Sequence, residues 1–450
     1  MSDLRRLFED LYESVNDQTV VAEFAEATGM TKAALTVESF DRLPSGPQHE
    51  YLLQHQIRPL FGKGGVNRTP IGTHPDFLEL EETDTGTQKH YICTLFVDIK
   101  GSTRLSLLYP LETVYQFKNA VIKACIETVR SFDGCVHRIM GDAVMAFFGG
   151  KNVAKEDAVA DAINCIVVLR AILEESIKPW MERNGIDAKD FGFRVGCDFG
   201  DDEEVLWGGF GYKNVGEVSA TGLQVDMASK LQGLASKNQA MLGQSLLDHI
   251  NWPKKYSEVK KSTRDGGAVS LPIVTPNITN SDGVPINYQM RQLAYYKTLE
   301  FSALPRSFRQ QIDGSSVIDH PAISYKCFTI EGDAELEYIS ASRFLEKHMS
   351  LLFLVEANTR YRINFPLKVV FKKTNHGLDT PEGERDIEQD GKVKYANKAR
   401  ISAYNKAPAL FAKVKLEEAT LYRGLHTMKC EVFDVNGRLI FRDWIGVMIK

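Results

Sequence analysis

Two aspartates stand where apolar segments give way to turns. Asp98 follows the apolar residues 95–97 and precedes a Gly-Ser-Thr turn, and Asp142 lies in a second turn 44 residues further on. If the strands before these turns are neighbours in a sheet, the two carboxylates converge. Together with the main-chain carbonyl of Ile99 they offer the hard oxygen ligands that Mg²⁺ and Mn²⁺ prefer. The sequence therefore predicts that Asp98, Ile99 and Asp142 bind two divalent cations.

The turn after Asp98 supplies groups that can face a polyphosphate. Gly101, Ser102 and Thr103 present main-chain N–H groups at the end of a strand, an arrangement that binds anions. Cations on the two aspartates would hold a nucleoside triphosphate against this turn. The competing interpretation is that both aspartates merely start turns, which Asp does often.

Composition and charge narrow the class of protein. The chain has 450 residues, 43% of them hydrophobic and 25% charged, with a net charge of −5, which suits a globular protein of about three domains. No overall basic surface offers itself to nucleic acid or to an anionic membrane. Seven scattered cysteines without a C-x-x-C pair indicate reduced, buried thiols in a cytoplasmic protein. The sequence shows neither a signal-peptide pattern nor an apolar run of the roughly 20 residues that span a bilayer.

The apolar periodicity divides most of the chain into three parts. Residues 1–60 are predicted as a helical segment, which can pack on its own domain or on a partner helix, and residues 61–89 as a glycine- and proline-rich linker or loop. Residues 90–304 alternate strands and helices in the order βαββαββα, with residues 295–299 as a last strand. This order predicts an α+β domain in which helices cover one face of a largely antiparallel sheet.

The rest of the chain is predicted to be rich in β-strands. Residues 305–319 are predicted as a linker. Residues 320–450 contain short alternating strands and an Asn436-Gly437 pair typical of a hairpin turn. The pattern predicts a β-sandwich-like C-terminal domain.

Three motifs together resemble the class III nucleotide cyclase catalytic domain. They are FVDIKGST at residues 96–103, RIMGD at residues 138–142 and TGLQVDMASKL at residues 221–231, and their order and spacing match over about 200 residues. The resemblance implies an antiparallel sheet with flanking helices and a head-to-tail homodimer. It also implies that each substrate lies between two chains. One chain then supplies the metal-binding aspartates, and the other reads the base and stabilises the transition state.

The family's transition-state positions are substituted in this chain. The resemblance places Asp226 where the family usually has Asn and Lys230 where it has Arg, and residues four apart share a helix face. Lys230 keeps a positive charge but lacks the bidentate fork of Arg. Asp226 accepts a hydrogen bond from a ribose hydroxyl but cannot donate as an amide does. An ordinary surface ion pair is the alternative interpretation. Lys213 is a further candidate phosphate ligand.

The family's base-selecting positions correspond to Arg138 and Ser219. Adenylate cyclases usually carry Lys at the first position and guanylate cyclases Glu, so Arg138 departs from both. A guanidinium only donates hydrogen bonds, and its fork suits the adjacent N3 and O2 acceptors of cytosine. The residues favour a pyrimidine substrate, CTP more than UTP. An adenylate or guanylate cyclase and a catalytically silent nucleotide-binding sensor are the alternatives.

The C-terminal region resembles a sensor domain that follows cyclase and nucleotidyltransferase domains in bacterial anti-phage operons. The similarity rests on residues 421–426 and 429–434. A cyclase with this domain and a non-purine pocket resembles the pyrimidine cyclases of the Pycsar anti-phage systems. The resemblance implies an enzyme that makes a 3′,5′-cyclic pyrimidine nucleotide and pyrophosphate. The cyclic nucleotide would act as a second messenger on a separate effector.

Overall fold

The computed structural model describes six parts of the chain, namely residues 6–16, 51–82, 86–212, 215–264, 267–397 and 410–450. Lys213 and a large part of the predicted N-terminal helical segment lie outside these ranges.

Helices and strands alternate through the first two thirds of the chain, whereas strands dominate the last third. The first part contains, in chain order, α1 (Leu7–Asn16), α2 (Leu52–Ile57), β1 (Thr87–Lys89), β2 (Ile92–Lys100), α3 (Ser102–Leu108), α4 (Leu111–Ser131), β3 (Cys135–Met140), β4 (Ala143–Phe148), α5 (Lys155–Ile172), α6 (Lys178–Arg183), β5 (Gly192–Gly200), β6 (Leu206–Tyr212), β7 (Val215–Thr221), α7 (Leu223–Leu234), β8 (Gln239–Gly243), α8 (Gln244–His249), β9 (Ser257–Glu258), β10 (Lys260–Arg264), β11 (Gly267–Leu271), β12 (Met290–Leu293) and α9 (Tyr295–Leu299). The second part contains α10 (Arg306–Arg309), β13 (Ile323–Glu331), β14 (Ala334–Tyr338), β15 (Phe344–Leu345), β16 (Ser350–Asn358), β17 (Leu367–Asn375), β18 (Lys392–Ala396), β19 (Phe411–Ala419), β20 (Gly424–Phe433) and β21 (Leu439–Ile449).

A seven-stranded sheet organises the first part of the chain. Its strands follow the order β3-β4-β2-β5-β8-β12-β9, and neighbours are antiparallel apart from the parallel pair β5 and β8. The register places Asp98 of β2 opposite Ala143 on β4 and opposite Arg194 on β5. The end of β2 therefore lies beside the turn between β3 and β4.

Both faces of this sheet are covered. On one face, Leu95 and Val97 pack into a core that includes residues of α4 and α5. On the other face, Phe96 contacts a second core formed by Met145, Val225 and the hairpin of β6 and β7. The α+β class and the flanking helices are confirmed, but the expected restriction of helices to one face is wrong. The physical reason is that β2 is apolar on both sides, as strands covered on both faces are.

The second face requires a glycine in β5. A Cβ atom at Gly196 would lie 2.1 Å from the carbonyl oxygen of Ala228 and 2.2 Å from the main-chain nitrogen of Gln232. Helix α7 therefore rests with its backbone directly on β5. This close approach fixes the position of the helix that carries Asp226 and Lys230.

The end of the first part differs from prediction. Residues 295–299 form helix α9 rather than a strand, and the last strand to join the sheet is β12 at Met290–Leu293. Tyr295, Thr298 and Leu299 are the buried residues of this helix. Their i, i+3, i+4 spacing is that of a helix face, a short pattern that is easily mistaken for strand alternation.

The C-terminal domain is a sandwich of two sheets. Their orders are β14-β13-β16-β19 and β15-β21-β20-β17-β18. Tyr325, Phe353 and Phe371 are among the buried residues of the core between them. The hairpin of β20 and β21 turns at Asn436 and Gly437, where Gly437 has a φ of 78°. The predicted sandwich and its Asn-Gly turn are confirmed.

A buried ion pair joins the two parts. Arg309, which ends α10, lies 3.0 Å from the carboxylate of Asp443 on β21, and both side chains are almost fully buried. The Nε of Arg309 also donates to the main-chain oxygen of Leu304 at 2.8 Å. Residues 305–319, predicted as a linker, are thus packed against the sandwich, and the domain boundaries stay predictions.

Helix α1 packs on the core that includes residues of α4 and α5. Phe8 contacts Phe117 of α4 and Trp180 of α6, with ring centroids 5.9 and 5.3 Å apart. The main-chain nitrogen of Phe8 donates to the hydroxyl of Ser176 at 3.0 Å. The N-terminal segment was expected to pack either on its own domain or on a partner helix, and α1 packs on its own domain.

The seven cysteines are buried and unbonded, as their scattered positions predicted. In the ranges given above, no helix has both the length and the apolarity that crossing a membrane demands.

A buried carboxylate secures the middle of the sheet. Asp198 on β5 accepts hydrogen bonds from the hydroxyl of Tyr288 at 2.6 Å and from the main-chain nitrogens of Phe199 and Leu246 at 2.9 and 3.1 Å. Burial raises the pKa of Asp198 to about 7, against an ordinary value of 3.8, although these donors lower it. The group thus links β5 to α8 and to the segment before β12.

Replacing Gly196 by Ala tests the close contact between α7 and β5. Because the new methyl group would overlap backbone atoms of α7, we expect the Gly196→Ala variant to lose about 1–3 kcal/mol of stability in urea unfolding. Gly233→Ala is the matched control. Gly233 lies in α7 itself, with nothing within 4 Å of its Cβ position. We expect this control variant to gain about 0.4–1 kcal/mol of stability. Equal stabilities of the two variants would contradict the packing described.

Asp198→Asn tests the buried carboxylate through pH. Because the folded-state pKa is raised, the proton on Asp198 stabilises the fold fully below pH 3.8, and this stabilisation is lost as the pH rises through about 7. Between these pH values the unfolding free energy of the wild-type protein should fall by up to about 1.4 kcal/mol per pH unit because of Asp198. We expect this dependence to be absent from the Asp198→Asn variant. Tyr288→Phe, which removes a donor, should shift the slope to higher pH. An unchanged pH profile in both variants would refute the assignment.

Candidate active site

The structure brings Asp98, Ile99 and Asp142 together. The main-chain nitrogen of Ile99 donates to the carbonyl oxygen of Asp142 at 3.1 Å. Gly141, with a φ of 65°, forms the tip of the turn between β3 and β4. Since the N–H and C=O of one strand residue point to the same side, the carbonyl of Ile99 also points toward Asp142. The convergence expected of the two strand ends is therefore present.

The turn after β2 is held tightly against its surroundings. Gly101 has a φ of 89°, and a Cβ there would lie 2.7 Å from the carbonyl oxygen of Asp190, so a side chain is excluded on both grounds. The hydroxyl of Ser102 is buried and donates to the carboxylate of Asp142. Thr103 is exposed at the start of α3. Ser102 thus orients a predicted metal ligand, while the main-chain N–H groups of the turn remain the candidates for phosphate.

An arginine that sequence reasoning missed lies against Asp98. The Nε of Arg194 donates to the carboxylate of Asp98 at 2.9 Å, and the side chains are 31% and 16% exposed. Arg194 stands between Phe193 and Val195 on β5, so the sequence marks it only as a charge within an apolar strand. Its partner became evident from the register of β2 and β5, which the sequence does not specify.

The donor set suits a hard divalent cation. Two carboxylates and one carbonyl are oxygen ligands, and Mg²⁺ commonly takes one or two carboxylates with the rest of its shell from phosphate and water. Within the described ranges, no group of three or more His, Cys, Asp or Glu side chains is placed to bind a metal. The residues therefore fit a cation that arrives with a triphosphate better than a cation enclosed by protein alone.

A β-bulge aims Arg138 at the same face as Asp98. The pairing of β3 with β4 shifts at His137, so Arg138 lies opposite Met145 instead of opposite Val144. Met145 belongs to the core on the α7 side of the sheet. Residues paired in an antiparallel ladder project from the same face, so Arg138 projects toward α7 and the β6–β7 hairpin.

The bulged residue is itself anchored. The Nδ1 of His137 lies 3.0 Å from the carbonyl oxygen of Gly72. Burial lowers the pKa of His137, so the ring is neutral and donates from Nδ1 to that carbonyl. The bulge that orients Arg138 is thus tied to the segment before β1.

Arg138 forms an ion pair across to the hairpin. Its partner is the carboxylate of Glu217 on β7, and the two side chains are 41% and 42% exposed. The Nε of Arg138 is buried and has no hydrogen-bond partner in the described part of the chain. Ser219, the predicted second base-selecting residue, lies on β7 two residues from Glu217 and is buried. Sequence reasoning missed Glu217, although residues two apart on a strand share a face.

The predicted transition-state residues lie on the helix that packs on β5. Asp226 and Lys230 are exposed on α7, one turn apart. Across the described ranges, neither side chain forms a hydrogen bond or ion pair with Asp98, Asp142 or Arg138. Lys213 falls outside those ranges.

The chain is similar to bacterial enzymes along most of its length. It is 42% identical over 418 residues to a cytidylate cyclase of Escherichia coli, and the aligned region covers 92% of this chain and 90% of that enzyme. It is 33% identical over 424 residues to a cytidylate cyclase of Staphylococcus aureus, which spans 92% of each protein.

The C-terminal part and the fold have matches of their own. Residues 299–450 match the family model of the Adenylyl/Guanylyl and SMODS C-terminal sensor domain, which confirms the predicted resemblance to a sensor domain. Among solved structures, the crystal structure of the adenylyl cyclase CyaB from P. aeruginosa aligns with 46% of this chain and 96% of that chain, at 19% identity and a TM-score of 0.37. With 33–42% identity over about nine tenths of its length, the chain belongs to the family of bacterial cytidylate cyclases.

Proposed function

We propose that this protein is a pyrimidine nucleotide cyclase that converts CTP to 3′,5′-cyclic CMP and pyrophosphate. The observation that carries the proposal is the meeting of Asp98, Ile99 and Asp142 where β2 ends beside the β3–β4 turn. The choice of CTP is supported by the relatives named cytidylate cyclase and by the donor fork of Arg138. UTP is the less favoured pyrimidine.

The reaction is an intramolecular phosphoryl transfer. The ribose 3′-oxygen forms a bond to the α-phosphorus, the bond from that phosphorus to the bridging oxygen breaks, and pyrophosphate leaves as the hydroxyl proton passes to water. Such a reaction depends on positioning and on stabilisation of charge. Divalent cations, Mg²⁺ or Mn²⁺, neutralise the triphosphate and lower the pKa of the attacking hydroxyl when bound.

The residues of one chain prepare the triphosphate end of the site. Asp98, Asp142 and the carbonyl of Ile99 would hold the cations, and Ser102 fixes the orientation of Asp142. Arg194 holds the carboxylate of Asp98 in position through a hydrogen bond from its Nε. If a cation took the place of Arg194 on Asp98, the guanidinium of Arg194 would be free to bind a phosphate oxygen. The N–H groups of residues 101–103 would bind phosphate oxygens at this end.

A second copy of the chain would complete the site. Lys230 of that copy would neutralise charge on the α-phosphate and Asp226 would orient the ribose, with Lys213 as a further phosphate contact. Exposed apolar side chains on the β6–β7 hairpin support self-association, since Leu206, Phe210 and Tyr212 are 38%, 48% and 85% exposed. We therefore propose a homodimer with two composite sites.

The presence of a cyclase and a sensor domain in one chain supports a role in signalling. A cytidylate cyclase joined to a sensor domain suits a cytoplasmic second-messenger synthase of antiviral defence, in which a separate effector responds to the cyclic nucleotide. The sensor-domain match and the named relatives support this role.

A four-nucleotide assay tests the activity. Pure protein with Mn²⁺ and ATP, GTP, CTP or UTP should release pyrophosphate fastest from CTP, and Asp98→Asn should lower kcat about 100-fold or more, because the variant loses the negative charge that would bind the cation. Asp282→Asn, an exposed carboxylate on a distant loop, should leave kcat unchanged. A preference for ATP or GTP would overturn the pyrimidine assignment, and binding without turnover would indicate a silent nucleotide sensor.

Mixing inactive variants tests the composite sites. Asp98→Ala and Lys230→Ala disable opposite halves, so a mixed dimer keeps one intact site out of two. Random mixing should restore about a quarter of the wild-type activity. The control mixes Asp98→Ala with Asp142→Ala, which disable the same half and should restore nothing. Recovery in the control, or none in the test mixture, would exclude the dimeric arrangement.

A further inference from the structure

We infer that Glu217 selects cytosine against uracil, by accepting a hydrogen bond from the 4-amino group while Arg138 donates to N3 and O2. The inference rests on the proposed function and deepens it. It names a residue that stands outside the base-selecting positions of the family, since those positions correspond to Arg138 and Ser219.

The position of Glu217 is suited to contact with a base. It lies on β7 opposite Phe210, and its carboxylate meets Arg138 from β3. Both side chains are about two-fifths exposed, so the pair is open to a ligand. Ser219 shares this face of β7 but is buried and has a short side chain. Of the two residues, Glu217 has the reach and the exposure.

The chemistry of the pair is complementary to one base. A guanidinium only donates hydrogen bonds and a carboxylate only accepts them. The Arg138–Glu217 pair therefore presents donors next to an acceptor, and Glu217 meets the guanidinium at Nη2 alone. Cytosine offers two adjacent acceptors, O2 and N3, followed by the amino donor at C4. Every group then meets its opposite.

The other bases leave at least one mismatch. Uracil turns its N3–H toward the guanidinium donors and its O4 toward the carboxylate, so two contacts become repulsive. Adenine offers an amino group beside a single acceptor, and guanine presents two donors where Arg138 also donates. A polar site that leaves buried groups unpaired discriminates strongly against the wrong ligand. The arrangement therefore rejects uracil by repulsion as well as favouring cytosine by attraction.

A purely structural role for the pair makes different expectations. An ion pair between half-exposed side chains contributes little to stability. If Glu217 only tethered the hairpin to β3, its removal would affect all nucleotides alike. Discrimination between substrates that differ at position 4 is thus the informative measurement.

The test compares CTP, UTP and the triphosphate of the pyrimidin-2-one riboside, which lacks only the 4-amino group of CTP. In the full-length wild-type protein, we expect kcat/KM for CTP to exceed that for the pyrimidin-2-one analogue by about 10- to 100-fold, as for a charged hydrogen bond. Glu217→Ala should bring the two values close together. Glu217→Gln, whose amide can donate to O4, should lower the CTP-to-UTP ratio by about the same factor.

A matched variant and a set of distinct outcomes complete the experiment. Glu203→Gln changes an exposed glutamate near the base of the same hairpin, paired with Lys89, and should leave every ratio unchanged. If Glu217→Ala lowers all rates equally and keeps the wild-type preference for CTP over the analogue, the inference is wrong and the pair is structural. If the wild-type protein cyclises no pyrimidine nucleotide, the proposed function itself fails, whatever the variants do.

Discussion

The register of β2 is the constraint on which the site depends. With Asp98 opposite Ala143 and Arg194, its carboxylate faces the α7 side and its neighbour Ile99 bonds to Asp142. A slip of one residue would turn every side chain of β2 to the other face. Asp98 would then enter the apolar core under α4 and α5. The strong apolar character of both faces of β2 makes such a slip costly, because large side chains on each side fit one register.

The position of Arg138, the predicted base-selecting residue, depends on a local irregularity of the sheet. The bulge at His137 moves Arg138 from the face of Val144 to the face of Met145, and bulges commonly re-aim a side chain beside a functional site. The hairpin of β6 and β7 then approaches from the same side and supplies Glu217. The carboxylate of Asp98 and the Arg138–Glu217 pair thus lie on one face of the sheet.

Local signals made part of this site predictable from sequence. Asp98 and Asp142 follow apolar runs and stand in turns, and Asp226 and Lys230 have helical spacing, so each could be placed on its element. Arg194 and Glu217 could not be recognised from sequence, because their partners lie on other strands. Which residues face each other there depends on strand register and bulges, and these are set by packing between residues far apart in sequence. The covering of both sheet faces was missed for the same reason. The prediction of a strand at residues 295–299 was wrong for a different reason, because five residues are too few to separate helical from strand periodicity.

The sensor domain joins the enzyme on the face opposite the site. Asn164 of α5 donates to the carbonyl of Ala341 at 2.8 Å, and Asp157 of α5 accepts from the main-chain nitrogen of Phe344 at 2.7 Å. Because α5 packs against Leu95 and Val97, the sandwich contacts a helix that covers the strand carrying Asp98. The strand that carries the predicted metal ligand Asp98 thus lies one helix away from the sensor domain.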